Sequence, residues 1–325
     1  MSAGGGLLAV HAHPDDETIS TGALLATWSA SGRPVTVVTC TRGERGEVIP
    51  PELAHLEADP AALAVHRETE LARALLALAV HDHVFLDQVP APTVAQTGVE
   101  RADGVAASGA RYEDSGMAWV SEGTAGPAAQ LPEGGFVAAP VAEAAGRLAA
   151  VIADRRPDVV VGYEPGGGYG HPDHVHAHRV MERAVRLAAE AAPGRRQFRV
   201  PVMLWTAQDE RELAAGCREV SPLAKPPLRA VDLSAPAPPV AVSGSIIDVR
   251  VDVAPVVQRL GTALRAHASQ IQAVDTWPER AGGATLGCFA LSVGVLLPVL
   301  RTEGYRFADG WPPRAVMWPV GVRVG

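Results

Sequence analysis

The sequence predicts an α/β fold: a Rossmann-like parallel-sheet core followed by a smaller C-terminal α/β lobe. Short apolar, largely β-branched runs at residues 7–11, 35–40 and 159–163 alternate with segments of helical periodicity. The first strand, helix and strand are spaced as a βαβ unit, which requires a parallel pair and a right-handed crossover. A chain of 325 residues is also long enough for one large domain with a smaller neighbour.

The elements follow in order. Residues 7–11 read as a buried strand, and 18–30 as a helix anchored by Ile19, Leu24, Leu25 and Trp28 and stopped by Gly32. Residues 35–40 form the second strand. The rhythm repeats with a helix at 61–80, a strand at 84–86, a helix at 141–153 and a strand at 159–163 after Pro157. A helix at 174–190 and a strand at 199–205 complete the predicted core, residues 1–205. Between Asp87 and Gly135 lies a glycine-, alanine- and proline-rich stretch longer than a compact domain normally uses as a connection. It is expected to be an insertion bordering the active site, chiefly around Tyr112-Glu113-Asp114-Ser115-Gly116.

After Trp205 the pattern weakens, and residues 206–325 are expected to form the second lobe, with a strand at 246–251 and a helix at 256–270. Residues 282–300 carry no charge and are barely long enough to span a bilayer. Glycines and Pro298 interrupt them, so a buried strand and helix are expected instead.

Net charge is −8, from 28 basic and 36 acidic residues, and no Lys/Arg block stands out. This argues against nucleic-acid and anionic-membrane partners. Three cysteines, Cys40, Cys217 and Cys288, cannot make a disulfide framework, and the start of the chain carries no basic residue. A cytoplasmic location is the expectation.

Two polar clusters each follow a predicted strand: His13-Pro14-Asp15-Asp16-Glu17, and Gly170-His171-Pro172-Asp173-His174. In an open parallel sheet, loops beyond the carboxyl ends of the strands line the ligand crevice, so both clusters should share one rim. His13, Asp16 and His174 offer the imidazole and carboxylate donors of a catalytic zinc site, with a position left for water. Local helix capping is the plain alternative for a single cluster, and less so for two. Asp15, adjacent to a ligand, is free to accept a proton from water activated by the metal. His171 is placed to stabilise an oxyanion or protonate the leaving amine, with Asp173 holding its tautomer, and Tyr169 is a candidate donor to the carbonyl oxygen. Glu17 reads as structural support, His267 as a polar lining or a helix cap, and His11 as a group behind the site.

The two motifs, in this order and context, resemble the signature of the LmbE/PIG-L family of zinc-dependent N-acetylglucosaminyl deacetylases. Further stretches are similar to the branch that deacetylates GlcNAc-inositol in mycothiol formation. They include Gly43-Glu44-Arg45-Gly46-Glu47, His66-Arg67, Tyr112 through Met117, and Arg265-Ala266-His267-Ala268-Ser269-Gln270. The resemblance implies zinc on His13, Asp16 and His174, Asp15 as base, His171 as acid or oxyanion stabiliser, and Tyr169 as a mobile carbonyl contact. It further implies that Arg67 and Asp114 grip the inositol hydroxyls and that Glu47 lies near the sugar pocket. Structural roles stand beside these: an Arg67–Glu70 ion pair, and an Asx-turn from Asp114 to Gly116. The same donors accept ferrous iron or other divalent ions. Arg45, the 275–281 stretch and the 287–290 stretch depart from the pattern. A mycothiol S-conjugate amidase, a deacetylase of another glycosylated metabolite, and a non-catalytic metal-supported sugar-binding protein are the alternatives.

Overall fold

Strand β1, Leu7–His11, is buried along its whole length. Such a run, apolar without alternation, belongs in a sheet covered on both faces. In the computed structural model, which describes residues 5–90, 111–121, 124–190 and 197–325, it lies inside the main sheet, at the middle of its parallel strands. It is followed by α1 (Asp16–Ala30), β2 (Val35–Thr39), α2 (Pro60–Ala77) and β3 (Asp82–Phe85). A small hairpin of β4 (Met117–Ser121) and β5 (Thr124–Pro127) precedes α3 (Val141–Arg155), β6 (Val159–Gly162), α4 (Pro172–Ala189) and β7 (Val202–Asp209).

Strands β3, β2, β1, β6 and β7 lie side by side in that order, all parallel. The chain builds outward from β1 through β2 to β3, then returns to the other side of β1 for β6 and β7. That reversal opens a crevice beyond the carboxyl ends of β1 and β6, where such sheets bind ligands. Alternate residues serve opposite faces. Leu7 and Ala9 pack with Leu24 and Leu25 of α1 and Leu71 of α2, while Leu8 and Val10 pack with Leu148 and Ile152 of α3 and Val180 and Met181 of α4.

The C-terminal part comprises α5 (Glu210–Val220), β8 (Arg229–Ala230), β9 (Ala241–Val242), β10 (Val249–Asp252) and α6 (Val257–Ala266). Then come β11 (Gln272–Thr276), β12 (Thr285–Ala290), β13 (Val295–Leu300), β14 (Thr302–Phe307) and β15 (Val322–Val324). Strand β14 pairs antiparallel with β7, and β10 and β15 continue outward, so among the described residues the main sheet has nine strands, counting β9 beside β7. The expected boundary at 205/206 therefore falls inside β7, and the second half extends the first half's sheet. What stands apart is a four-stranded sheet, again among the described residues, in the order β11-β12-β13-β8.

Two expectations need correction. Residues 282–300 hold two antiparallel strands, β12 and β13, rather than a strand and a helix. Gly294 turns the chain at φ 69°, and Pro298, which lacks an amide hydrogen, would break a helix there. The helix expected over 256–270 ends at Ala266. His267 leaves the helical region at φ −84°, ψ 47°, and its carbonyl accepts the amides of Gln270 and Ile271 in a tight turn. Among the described residues, no helix is long and apolar enough to cross a membrane.

Candidate active site

The two loops beyond β1 and β6 meet. His13 Nδ1 lies 3.3 Å from Asp16 Oδ2, Asp16 Oδ2 lies 3.3 Å from His174 Nε2, and His174 Nε2 lies 3.3 Å from His13 Nδ1. A tetrahedral ion with bonds of 2.0–2.1 Å separates its ligand atoms by about 3.3–3.4 Å. The three atoms thus outline one face of such a site. His171 joins His13 and His174 in a looser set whose ligand atoms lie within 4.8 Å of one another, and a second such set is His13, Asp114 and Asp173. The tighter triangle matches the bond geometry, so it is the better candidate.

Each imidazole is held from behind. His174 Nδ1 faces the Gly167 carbonyl at 3.1 Å, which as an acceptor fixes the proton on Nδ1 and leaves Nε2 bare. The loop achieves this because Gly167 and Gly168 take φ values of 67° and 75°. His13 Nε2 faces Asp173 Oδ2 at 3.1 Å, which leaves Nδ1 bare. Helix α4 supplies His174 from its first turn, with Pro172 at a position where its missing amide hydrogen costs nothing. Asp16 opens α1, where its charge also suits the helix dipole.

Charge around the triangle favours a cation. Burial raises a carboxyl pKa, yet His174 and His13 outweigh it at Asp16 and hold that group well below the usual range. Burial likewise opposes protonation of His13, but Asp114, Asp16 and Asp173 outweigh it and pull its pKa up. Asp173 Oδ1 is buried with no hydrogen-bond partner among the described residues. Such a surplus of buried acceptors suits an ion of positive charge.

Asp15 stands beside the ligands in a backbone conformation, φ 104°, that non-glycine residues rarely adopt, at a cost of about 1–3 kcal/mol. Its Oδ2 accepts Arg67 Nη2 at 3.1 Å. Burial lifts the Asp15 pKa to about 6, against the pull of Arg67. Arg67 is buried and also donates to the carbonyls of Pro14 and Gly43. Its partner is thus Asp15, while Glu70 turns to Ser269 and His66.

Other expected residues are placed differently. The Asp173 carboxylate holds His13 and accepts the Ser115 amide at 2.9 Å; only its backbone amide serves His171, donating to Nδ1 at 3.1 Å. The expected Asp173 control of the His171 tautomer therefore comes from the main chain, because a side chain in the first turn of α4 reaches across to β1. With Nδ1 accepting, the neutral His171 ring carries its proton on Nε2. Burial and the neighbouring His13 and His174 push the His171 pKa down to about 2. The Tyr169 ring lies 5.2 Å from that of His174 and 6.0 Å from that of His171. Asp114 makes the Asx-turn, accepting the Gly116 amide at 2.8 Å, and also lies 3.6 Å from His13 Nε2. Glu47 is exposed and lines a cavity of about 700 Å³ together with Glu44, Arg45, Leu228 and Val293. None of His13, Asp15, Asp16 or His174 lines that cavity.

The model of the family described as PIG-L, GlcNAc-PI de-N-acetylase, matches residues 8–185, a span that contains both loops. The chain belongs to the PIG-L family. It is 41% identical over 308 residues to the 1D-myo-inositol 2-acetamido-2-deoxy-alpha-D-glucopyranoside deacetylase of Kineococcus radiotolerans, covering 94% of this chain and 77% of that one. It is 42% identical over 321 residues to the protein of the same name from Nocardia farcinica, covering 95% and 92%. Among solved structures, GalB, the 4-carboxy-2-hydroxymuconate hydratase of Pseudomonas putida, shares the fold at TM-score 0.52 and 14% identity, covering 97% of this chain and 99% of that one.

Three residues of this PIG-L protein that sequence reading left out or left in the background surround the site. Tyr163, at the end of β6, stacks on His174 with ring centroids 4.2 Å apart, and its hydroxyl accepts the Ala12 amide at 2.9 Å. Its place one residue past a strand end was the available signal. Glu17 and His267, both buried, face each other at 2.8 Å beneath Asp15. Burial raises the Glu17 carboxyl, but His267 outweighs it, and the net shift is downward.

Proposed function

We propose that this protein removes the N-acetyl group of GlcNAc-inositol, releasing acetate and the free amine, with zinc as its ion. The observation that carries the reading is the triangle of His13 Nδ1, Asp16 Oδ2 and His174 Nε2, each 3.3 Å from the next, with Asp15 alongside. Two relatives of about 40% identity that bear the name of that deacetylase support the substrate. Two imidazoles and one carboxylate suit zinc, and ferrous iron accepts the same donors. A divalent ion held there supplies Lewis acidity toward an acetamide carbonyl and acidifies water.

The protein's own groups do the rest. Asp15, fixed by Arg67, accepts a proton from the attacking water, and that proton is passed to the leaving nitrogen. His171 Nε2–H and the Tyr169 hydroxyl donate to the oxygen that gains charge as the carbonyl carbon becomes tetrahedral. Asp173 keeps His13 in its ligating tautomer. The Nη groups of Arg67 are engaged with protein oxygens, so its weight falls on Asp15 as well as on any inositol hydroxyl. Asp114, 3.6 Å from His13, and Glu47 supply acceptors for sugar and inositol hydroxyls.

The test is amine release from GlcNAc-inositol, free GlcNAc and mycothiol S-conjugates by the zinc-loaded protein. GlcNAc-inositol is expected to turn over best, and chelation to abolish the reaction. Turnover of a conjugate with none of GlcNAc-inositol would replace the reading with the amidase.

A further inference from the structure

We infer that Glu17 and His267 form a positioning pair for Asp15, through which the C-terminal segment sets the catalytic carboxylate. The inference rests on the reading of Asp15 as the base. Asp15 adopts φ 104° without being glycine, so something outside the residue must hold its backbone. Glu17 Oε2 accepts the Asp15 amide at 2.9 Å, and Glu17 Oε1 accepts His267 Nε2 at 2.8 Å and the Thr18 hydroxyl. The Glu17 and His267 side chains are 0% exposed.

His267 comes from a rigid place. It closes α6, and its carbonyl accepts the amides of Gln270 at 3.0 Å and Ile271 at 2.8 Å. In the same turn, the Ser269 amide and hydroxyl bond Glu70 of α2 at 2.7 Å and 2.6 Å. Glu70 lies one helical turn beyond Arg67, whose Nη2 holds Asp15 Oδ2 at 3.1 Å. The base is therefore gripped twice, at its amide through Glu17 and at its carboxylate through Arg67. Both grips lean on the 267–270 turn, which is connected to them by hydrogen bonds or by a shared helix. A first-turn carboxylate commonly reaches back to the N-cap amide; here that amide belongs to the base itself, and the second carboxylate oxygen is tied to His267 of the C-terminal segment.

The experiment compares Glu17→Ala and Glu17→Gln with wild type, as full-length zinc-loaded protein, on GlcNAc-inositol. Glu17→Ala should lower kcat on the order of 10–100-fold while KM and metal content stay within about twofold. Glu17→Gln, which keeps an oxygen for the Asp15 amide, should recover most of that loss. If Glu17→Ala does not fold, His267→Leu and His267→Gln take its place, with kcat lowered by the first and restored by the second, which keeps a donor. Unchanged kcat, Gln variants as poor as the apolar ones, or failure of both apolar variants to fold would assign the pair to the fold alone and overturn the inference. Asp15→Asn separates the two claims: substantial turnover there defeats the base assignment, whereas a dead Asp15→Asn beside an unimpaired Glu17→Ala defeats only the positioning.

Discussion

At Asp15 a strained backbone, a buried guanidinium and a carboxyl pKa lifted to about 6 converge on one side chain. Asp15→Asn should lower kcat/KM by roughly 10²–10⁴-fold with zinc content unchanged, measured by amine release alongside metal analysis. Gly43 tests the guanidinium from the other side. A Cβ at that position would stand 2.0 Å from Arg67 Nη1, and φ there is +65°. Gly43→Ala should therefore displace Arg67 and lower kcat about tenfold or more while circular dichroism stays native. Unaltered kinetics would show that Arg67 does not govern Asp15. The meeting of His13, Asp16 and His174 was legible because they sit just past predicted strands in dense polar motifs. The partner of Asp173 was not. Which ring its carboxylate meets depends on β1 arriving beside the first turn of α4, a contact 160 residues apart in the chain.

Among the elements, β1 and β6 declared themselves by apolar runs, β2 by β-branched residues, and α4 by Pro172 at its start. The end of α6 did not, since helical spacing continues through Arg265-Ala266-His267-Ala268, while long-range contacts of His267 with Glu17 and of Ser269 with Glu70 accompany the turn away. Strand β14 carries a further device, with Glu303 accepting the amides of Ala23 and Leu24 in the middle of α1 at 2.9 Å and 2.8 Å. Burial lifts its pKa to about 7, against the hydrogen bonds from Tyr305, Ala23 and Leu24. The folded value then exceeds the unfolded one, so the folded protein holds the proton more tightly. This contribution is fully present below about pH 4.5 and is lost as pH rises through about 7. Glu303→Gln should flatten that part of the stability curve, a difference of up to about 3 kcal/mol. Denaturant unfolding of both proteins between these pH values measures it, and parallel curves would refute the titration.

For the molecule as a whole, the parallel half was readable because local alternation of strand and helix dictates it. The joining of β10, β14 and β15 to the same sheet was not, because antiparallel pairing between distant segments leaves little local signature. The 267–270 turn lies against α1 and α2, so the C-terminal part supports a candidate site whose His13, Asp16 and His174 all lie in the parallel part. The proposed hydrolysis requires one ion shared by two loops more than 150 residues apart. Zinc-edge X-ray absorption on the loaded protein and on His174→Ala tests this most directly. The wild type should bind one zinc per chain with nitrogen and oxygen ligands at about 2.0–2.1 Å and two imidazoles, and His174→Ala should lose one imidazole or the metal altogether. An identical spectrum and full occupancy in His174→Ala would contradict the account.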